Sequence, residues 1–474
     1  MAHTESPTPK DPEEDEVSRG ELIAYSLPDA GINISNNVMT GTLANPILVT
    51  TLGFAPSHVG LVMMVRSFWD AIADPILGYA SDNFRSRYGR RKPLIFFGGI
   101  LMAITLVLAW RFPTDKGEMA ALVSFGIGLL IFSTAQSIVT VSYHALGMEL
   151  SRSYHGRTRV QMAKSISSRL SSFIIPFIFP FCLLSIFGNA LEGARWFTVI
   201  LAVFLLIATT IAALKSRERT PAPSTRENFF KAIASTAKSK DFLRVAGIYA
   251  VLLFIIGAFG VFQYFLVIYY VFGGKVVEGA SFNAMVDTWS NVLVIASLPV
   301  VNRLSRRFEK HNALRGAVML MILGAFVQYF LFNPRYPALL FVGPLFQSLG
   351  ISATFMILGA LMADAVDADE LNSGQRREGL FSATAGFMMK TMFAIAIGLS
   401  GFLIEGCGFI EKNGGAQAAG VFDNMRLVFV IKGFLLMLCL VFLHKYPLTQ
   451  KRIAEIQAEL KRRREVNQPL ATEA

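Results

Sequence analysis

The sequence predicts an all-α membrane protein with twelve transmembrane helices in two six-helix bundles. Hydrophobic residues make up 53% of the 474 residues, and charged residues make up only 16%, whereas a soluble domain carries roughly 25% charged residues. Several stretches, among them 119–148 and 336–363, contain no Asp, Glu, Lys or Arg and exceed the ~20 residues of a spanning helix. This composition excludes an ordinary soluble protein.

The apolar stretches predict each span in turn. Runs without charged residues define the more apolar spans, and runs interrupted by a few charges define the others. The predicted spans are 22–51, 56–81, 91–111, 118–149, 160–188, 194–214, 242–272, 281–303, 313–332, 336–363, 379–406 and 421–445. The segment 215–244 mixes Lys, Arg, Ser, Thr and Pro and follows the sixth span, so it predicts a linker between two halves.

The predicted domain order follows from these spans. It comprises a disordered acidic N-terminal tail at 1–21, an N-terminal six-helix bundle at 22–214, a cytoplasmic linker at 215–241, a C-terminal six-helix bundle at 242–446 and a cytoplasmic amphipathic tail at 447–474. Two parallel six-helix repeats are typical of the major facilitator fold. In the tail, Ile453, Ile456 and Leu460 share one helix face, which favours the inner membrane surface, with a solvated helix as the alternative.

The basic residues predict the orientation of the spans. With both termini in the cytoplasm, the inner loops hold the Lys and Arg clusters at 85–92, 215–244 and 303–310, and the outer loops keep scattered cations. This is the distribution of the positive-inside rule, and it accounts for the net charge of +11 without nucleic acid. We therefore expect a multi-pass protein of the plasma membrane that contacts lipid, binds no nucleic acid and is a monomer.

Span two carries three charges on one helix face. Arg66, Asp70 and Asp74 are spaced four residues apart, and each charge at the bilayer midplane costs about 2.5–3.5 kcal/mol on insertion scales. Two desolvated carboxylates one turn apart either bind a cation or hold a proton. The alternative is a structural pair of Arg66 with Asp70, which leaves Asp74 without a partner on its own helix.

Other polar residues inside spans are candidates for a substrate site. Lys390 lies alone in an apolar run of span eleven, so we expect it to face the bundle interior, where the span-two carboxylates could neutralise it. Span one, which includes Asp29 and Asn33, is polar enough for a cavity wall, with interhelical hydrogen bonding as the alternative. His144 in span four could face the same cavity or could simply pack.

Three segments carry a resemblance to a known family. They are residues 70–93, which read DAIADPILGYASDNFRSRYGRRKP, residues 145–159, which read ALGMELSRSYHGRTR, and residues 363–379, which read ADAVDADELNSGQRREG. In sequence and topological position they resemble the signatures of the glycoside–pentoside–hexuronide:cation symporters, the melibiose permease family of the major facilitator superfamily. The similar layout extends over roughly 22–446.

The resemblance implies a cation-binding site in spans two and four. Asp70 and Asp74 correspond to the family's paired aspartates, and Ser137 corresponds to a hydroxyl ligand. Ala73 replaces an asparagine that helps to bind sodium, and Thr140 replaces an aspartate that contacts both sugar and cation. Sodium therefore has fewer ligands than in the family's sodium-using branch, and the coupling ion is expected to be H+ or Na+, with no cofactor. The candidate cation-binding residues are Asp70, Asp74, Ser137 and Thr140.

The resemblance also implies substrate contacts. Lys390 corresponds to a lysine that links the cation and sugar sites, and Lys164 stands where an arginine is usual. Asn33 replaces a sugar-binding aspartate and His144 replaces a tryptophan that stacks on the sugar, so a melibiose-like galactoside is not expected. The candidate substrate-binding residues are Asp29, Asn33, Arg66, His144, Lys164 and Lys390.

Charged loops after spans two and ten are candidates for a cytoplasmic gate. Both signs of charge are present there, so ion pairs could close the inner side of the site. The candidate gate residues are Asp82, Arg85, Arg91, Asp364, Arg377 and Glu378. Basic inner loops without any latch are the alternative.

The predicted function is cation-coupled symport of a sugar, glycoside or uronic acid by alternating access. A lysophospholipid or other small-solute transporter of the same superfamily, including an efflux carrier, is the first alternative, and a transport-inactive membrane sensor is the second. An enzyme is not expected, because the six histidines are scattered without metal-ligand spacing.

Overall fold

The computed structural model describes residues 17–151, 154–218, 239–374, 378–444 and 446–467. All regular elements in these ranges are helices, as the sequence predicted. The long α-helices are α1 (Arg19–Asn37), α2 (Pro56–Asn83), α3 (Lys92–Ala109), α4 (Glu118–Glu149), α5 (Tyr154–Ile174), α6 (Ala190–Lys215), α7 (Lys240–Phe265), α8 (Val276–Arg307), α9 (Lys310–Leu331), α10 (Gly343–Ser373), α11 (Glu378–Gly406), α12 (Val421–Leu443) and α13 (Gln450–Asn467). Short helical segments, such as Ile178–Cys182 and Leu266–Val271, lie between them.

Ten helices of the described chain, α3 to α12, are long and apolar enough to cross a membrane. The chain is therefore an integral, multi-pass membrane protein. The helices α1 and α2 correspond to the first two predicted spans, but they are less apolar because they hold Asp29, Arg66, Asp70 and Asp74. The number of twelve spans stays a prediction for these two helices.

The chain folds into two compact units. The first unit comprises Met1–Leu43, Ile72–Ile178 and Leu184–Ser224, and the second comprises Ala44–Ala71, Phe179–Leu183 and Thr225–Ala474. The change of unit inside α2 was not predicted from the sequence. The predicted domain boundaries remain predictions.

The first unit is held together by close helix packing. The helix α3 packs on α4 and α6, and α1 packs on α5 and α6. Gly128 of α4 lies directly against Ala109 of α3, since a Cβ at Gly128 would stand 2.9 Å from the Ala109 Cα. Small residues allow this approach, which drives helix association where lipid removes the hydrophobic difference between helices.

The second unit is built in the same way. The helix α7 packs on α11 and α12, α9 packs on α10 and α12, and α8 packs on α10. At Gly257 of α7, an added Cβ would meet the Ala396 Cβ of α11 at 2.9 Å. Residues of α7, α8, α9, α10 and α12 surround a cavity in this unit.

The structure corrects the expected position of the C-terminal tail. The helix α13 packs on α10, and its apolar residues Ile453, Ile456 and Leu460 are buried by protein. Arg463 Nη1 also donates a hydrogen bond to the Leu371 carbonyl oxygen at 3.0 Å. The membrane-surface interpretation was wrong, because helical periodicity identifies an apolar face but not what covers it.

The Gly128 contact can be tested by adding a side chain. We expect Gly128→Leu to destabilise the protein by about 1–3 kcal/mol through overpacking, because the nearest obstacle is backbone. Thermal unfolding in detergent measures this. Gly316→Leu in α9 is the matched control, since a Cβ there meets nothing within 4 Å, and equal unfolding temperatures for the two variants would contradict the packing account.

Candidate functional site

Within the second unit, the first half of α2 packs closely against α11. A Cβ at Gly60 would lie 2.9 Å from the carbonyl oxygen of Gly398. At the start of α2, the backbone N–H of Ser57 donates to Glu405 Oε1 at 2.9 Å. Along this contact the residue numbers in α11 decrease while those in α2 increase, so the two helices run antiparallel.

This register brings two predicted site residues to a similar depth. From the Gly60–Gly398 contact, Asp70 lies about 15 Å along α2 and Lys390 lies about 12 Å along α11, at a rise of ~1.5 Å per residue. The two are therefore level within one helical turn. Asp70 also forms an ion pair with Arg66, with 3.5 Å between Oδ2 and Nη2.

In the first unit, the second half of α2 runs beside α4. Ser81 and Ser142 share a hydrogen bond of 3.1 Å between their hydroxyl oxygens. One turn earlier, a Cβ at Gly78 would stand 3.7 Å from Val141 Cγ1. Both contacts advance in the same direction along the chain, so this part of α2 and α4 are parallel.

The parallel register places Asp74 at a depth similar to that of Ser137, one of the predicted hydroxyl ligands. Counted back from Ser81–Ser142, Asp74 lies about 10 Å along α2 and Ser137 about 8 Å along α4, which is the same depth within a turn. Ser137 is buried. The hydroxyl of Thr140 is buried and has no hydrogen-bond partner among the described residues, so it retains its capacity for a ligand.

A second polar cluster lies between α1 and α5. Asp29 and Lys164 form an ion pair of 3.9 Å between Oδ1 and Nζ. Asn33 donates from Nδ2 to Ser171 Oγ at 2.7 Å, and its Oδ1 accepts from Asn37 at 3.1 Å. The structure thus brings three predicted substrate residues together. It also makes interhelical hydrogen bonds there, which was the stated alternative for span one.

Two tyrosines form one side of this cluster. The rings of Tyr25 and Tyr143 stack with 4.6 Å between centroids, and Lys164 Nζ lies 5.9 Å from the Tyr143 ring centroid. The imidazole of His144 lies 5.7 Å from the same ring. The role predicted for His144 stays a prediction.

The candidate gate residues with described side chains have partners inside their own unit. In the first unit, Arg91 Nη1 donates to Ser81 Oγ at 2.6 Å, and its Nε lies 3.6 Å from Glu149. In the second unit, Asp364 binds Lys310 Nζ at 2.7 Å. Arg85 is exposed after α2. Gating by these residues stays a prediction.

Three gate candidates fall outside what is described. Arg377 lies outside the described residues. Asp82 and Glu378 belong to α2 and α11, but their side chains lie outside the description.

Several contacts at the site were missed from the sequence. A polar stripe at helical spacing along α5 comprises Lys164, Ser168 and Ser171. This stripe was the available signal for the contacts with α1. Two other contacts gave no local signal in the sequence. Glu405 accepts the Ser57 N–H at the start of α2, and Glu218 accepts backbone N–H groups at the start of α3 at 2.6 Å. Both carboxylates bind helix N-termini, which favour negative charge.

Comparison with known proteins decides the family. The family model described as MFS/sugar transport protein matches residues 24–450. The chain belongs to this family. The resemblance drawn from the three sequence segments is thereby confirmed, and the major facilitator fold with it.

Named relatives of this MFS sugar transport protein are symporters and carriers. The glucuronide carrier protein homolog of Escherichia coli (strain K12) is 24% identical, over 97% of this chain and 99% of that protein. The putative glycoside/cation symporter YagG of the same strain is 20% identical, over 94% of this chain and 95% of that protein. These similarities extend over nearly the full length of each protein.

Solved structures show the same fold. A bacterial homologue of the human lysosomal transporter Spinster, in an inward-facing conformation, superposes with a TM-score of 0.67 at 15% sequence identity. The match covers 93% of this chain and 97% of that chain. At this identity the likeness concerns the fold alone.

The contact at the start of α2 predicts a stability effect in this transport protein. We expect Glu405→Ala to cost about 1 kcal/mol, because it removes the acceptor for the Ser57 N–H, and Glu405→Gln to cost less. Thermal unfolding and amide hydrogen exchange in the first turn of α2 measure this. Glu278→Ala, at an exposed glutamate on α8, is the control, and unchanged exchange in Glu405→Ala would contradict the capping role.

Proposed function

We propose that this protein is a cation-coupled symporter of a sugar, glycoside or uronic acid that works by alternating access. The observation that carries the proposal is the arrangement on α2 and α11, where Asp70 pairs with Arg66 at 3.5 Å and lies level with Lys390. Charges inside a membrane-spanning bundle mark ion and substrate pathways, because their cost must be offset by function or pairing.

In this proposal Asp70 and Asp74 form the cation site. Ser137 supplies a hydroxyl oxygen at a depth within one helical turn of Asp74. Thr140 supplies another, about one turn further along α4, and its hydroxyl has no described partner. Hydroxyl and carboxylate oxygens suit Na+, and a carboxylate alone suits H+. Cation binding offsets the repulsion between the carboxylates, so that substrate and cation stabilise each other's binding reciprocally.

The substrate is proposed to contact the α1–α5 cluster and Lys390. Asp29, Asn33 and Lys164 offer acceptors and donors of both charges, which suits the hydroxyl groups of a sugar. The 3.9 Å separation of Asp29 from Lys164 exceeds an ordinary hydrogen bond. A ligand can therefore compete for both groups. Named relatives, a glucuronide carrier homologue and a putative glycoside/cation symporter, support this substrate class.

The remaining parts of the proposal concern location and gating. We place the protein in the plasma membrane as a monomer. Both termini are proposed to lie in the cytoplasm, because the loops that are then cytoplasmic hold the Lys and Arg clusters. The residues proposed to close the cytoplasmic side of the transport site are Asp82, Arg85, Arg91, Asp364, Arg377 and Glu378. A symporter moves its substrate chemically unchanged, so we assign the chain no enzymatic step.

Charge movement in proteoliposomes tests the function directly. A jump of mixed pentoses, hexoses, uronic acids and glycosides is expected to give a transient current, with or without sodium. A transient without sodium indicates proton coupling, and one that requires sodium indicates sodium coupling. Silence with all these solutes, from folded protein, would overturn sugar symport.

The cation site makes a specific prediction for Asp74. We expect Asp74→Asn to abolish uphill substrate accumulation, because the amide cannot hold a proton or balance a cation, while substrate exchange across the liposome membrane persists. Uptake and counterflow of a radiolabelled substrate measure the two activities. Asp115→Asn in a loop is the control, and full concentrative uptake by Asp74→Asn would refute the cation-site assignment.

A further inference from the structure

The second unit contains a cavity of about 180 Å³ among α7, α8, α9, α10 and α12. Its lining includes one carboxylate, Asp287, and one ammonium, Lys432, together with the amides of Gln328 and Gln347. The rings of two phenylalanines complete it. None of these residues belongs to the sites proposed above.

Each charge in the cavity is held by neutral amides. Asp287 accepts from Asn283 Nδ2 at 2.8 Å and from Gln263 Nε2 at 3.3 Å. On the other side, Lys432 Nζ donates to Gln347 Oε1 at 3.0 Å, and Gln347 Nε2 donates to Gln328 Oε1 at 2.9 Å. The amide partners orient the two charged groups without neutralising them.

The two charges do not neutralise each other either. Among the described residues, no carboxylate lies within the 4.0 Å ion-pair distance of Lys432 Nζ, although the lysine is only 7% exposed. A buried ammonium without a counter-charge is costly. Since it has three donors and one described hydrogen bond, the others remain for a group in the cavity.

The geometry points to a binding site for a small hydroxylated carboxylate, of the size of a monosaccharide acid. The ligand's carboxylate would bind Lys432, and its hydroxyls would donate to Asp287. Phe259 and Phe429 offer apolar faces to the ring carbons. The volume of about 180 Å³ gives room for a ligand of this size.

This inference rests on the proposed transport of a sugar, glycoside or uronic acid, and it assigns the acidic member of that set to a second site. It adds a site inside the second unit that Asp70, Asp74 and Lys390 do not form. Asp287 and Lys432 thereby acquire a role in recognising the ligand's hydroxyl and acid groups.

Equilibrium binding of two matched ligands tests the inference. D-glucuronate and D-glucose differ at one carbon, which bears a carboxylate in the first and a hydroxymethyl group in the second. We expect calorimetry on the purified full-length protein, at fixed pH and sodium concentration, to show that glucuronate binds at least roughly ten-fold more tightly than glucose. Lys432→Met is expected to remove this preference, whereas Lys275→Met at an exposed lysine keeps it.

A second variant tests the cavity without altering its charges. Gly260 lines the cavity, and a Cβ there meets nothing within 4 Å. We expect Gly260→Leu to project into the cavity and to weaken glucuronate binding at least ten-fold, while Gly316→Leu leaves binding unchanged. Unfolding temperatures of all variants show whether each is folded.

Specific outcomes would overturn the site. These are a wild-type protein that binds both ligands equally or binds neither, a preference that survives in Lys432→Met, or unaltered binding in Gly260→Leu. If Lys390→Met removes the preference and Lys432→Met does not, the acid group binds elsewhere. The transient current in proteoliposomes is measured separately, so symport can stand when the cavity site fails.

Discussion

The contact between glycines of α2 and α11 is the constraint on which the placement of the charged groups depends. At Gly60 backbone meets backbone, because an added Cβ would collide with the carbonyl oxygen of Gly398. Such a contact tolerates little sliding, unlike one between flexible side chains. It therefore fixes the depth at which Asp70 and Lys390 lie. In a bilayer this depth matters, since each charge is costly away from water or a partner.

The ion pairs of the candidate transport site differ from the one at the candidate gate. At the start of α9, Lys310 binds Asp364 at 2.7 Å. The two pairs of the candidate site are longer, with 3.5 Å for Arg66–Asp70 and 3.9 Å for Lys164–Asp29. A short pair forms a strong charge-assisted hydrogen bond and holds a structure, whereas a longer pair is weaker and easier for another group to displace. The long pairs are the ones that the proposed transport site uses.

Much of the fold could be predicted because apolar runs in a membrane protein lead directly to helices. The positions of Asp70, Asp74 and Lys390 were visible as charges within such runs. The contact of Glu405 with Ser57 joins residues 348 positions apart, so no local pattern could reveal it. Asp287 was overlooked, although Asn283 precedes it by one turn. The amphipathic pattern of α13 indicated an apolar face, but tertiary packing decided its partner.

The two predicted spans that are not among the ten helices of the described chain apolar enough to cross a membrane, α1 and α2, hold the residues with the clearest functional interpretation. A helix lined with Asp29 and Asn33, or with Arg66, Asp70 and Asp74, cannot have the hydropathy of α3 to α12. Its polar face must be satisfied by neighbours, as α5 does for α1 through Ser171 and Lys164. Low apolarity in a predicted span is therefore a marker of function here. High hydropathy identifies the helices of the scaffold, and reduced hydropathy within a predicted span identifies the helices that carry the site.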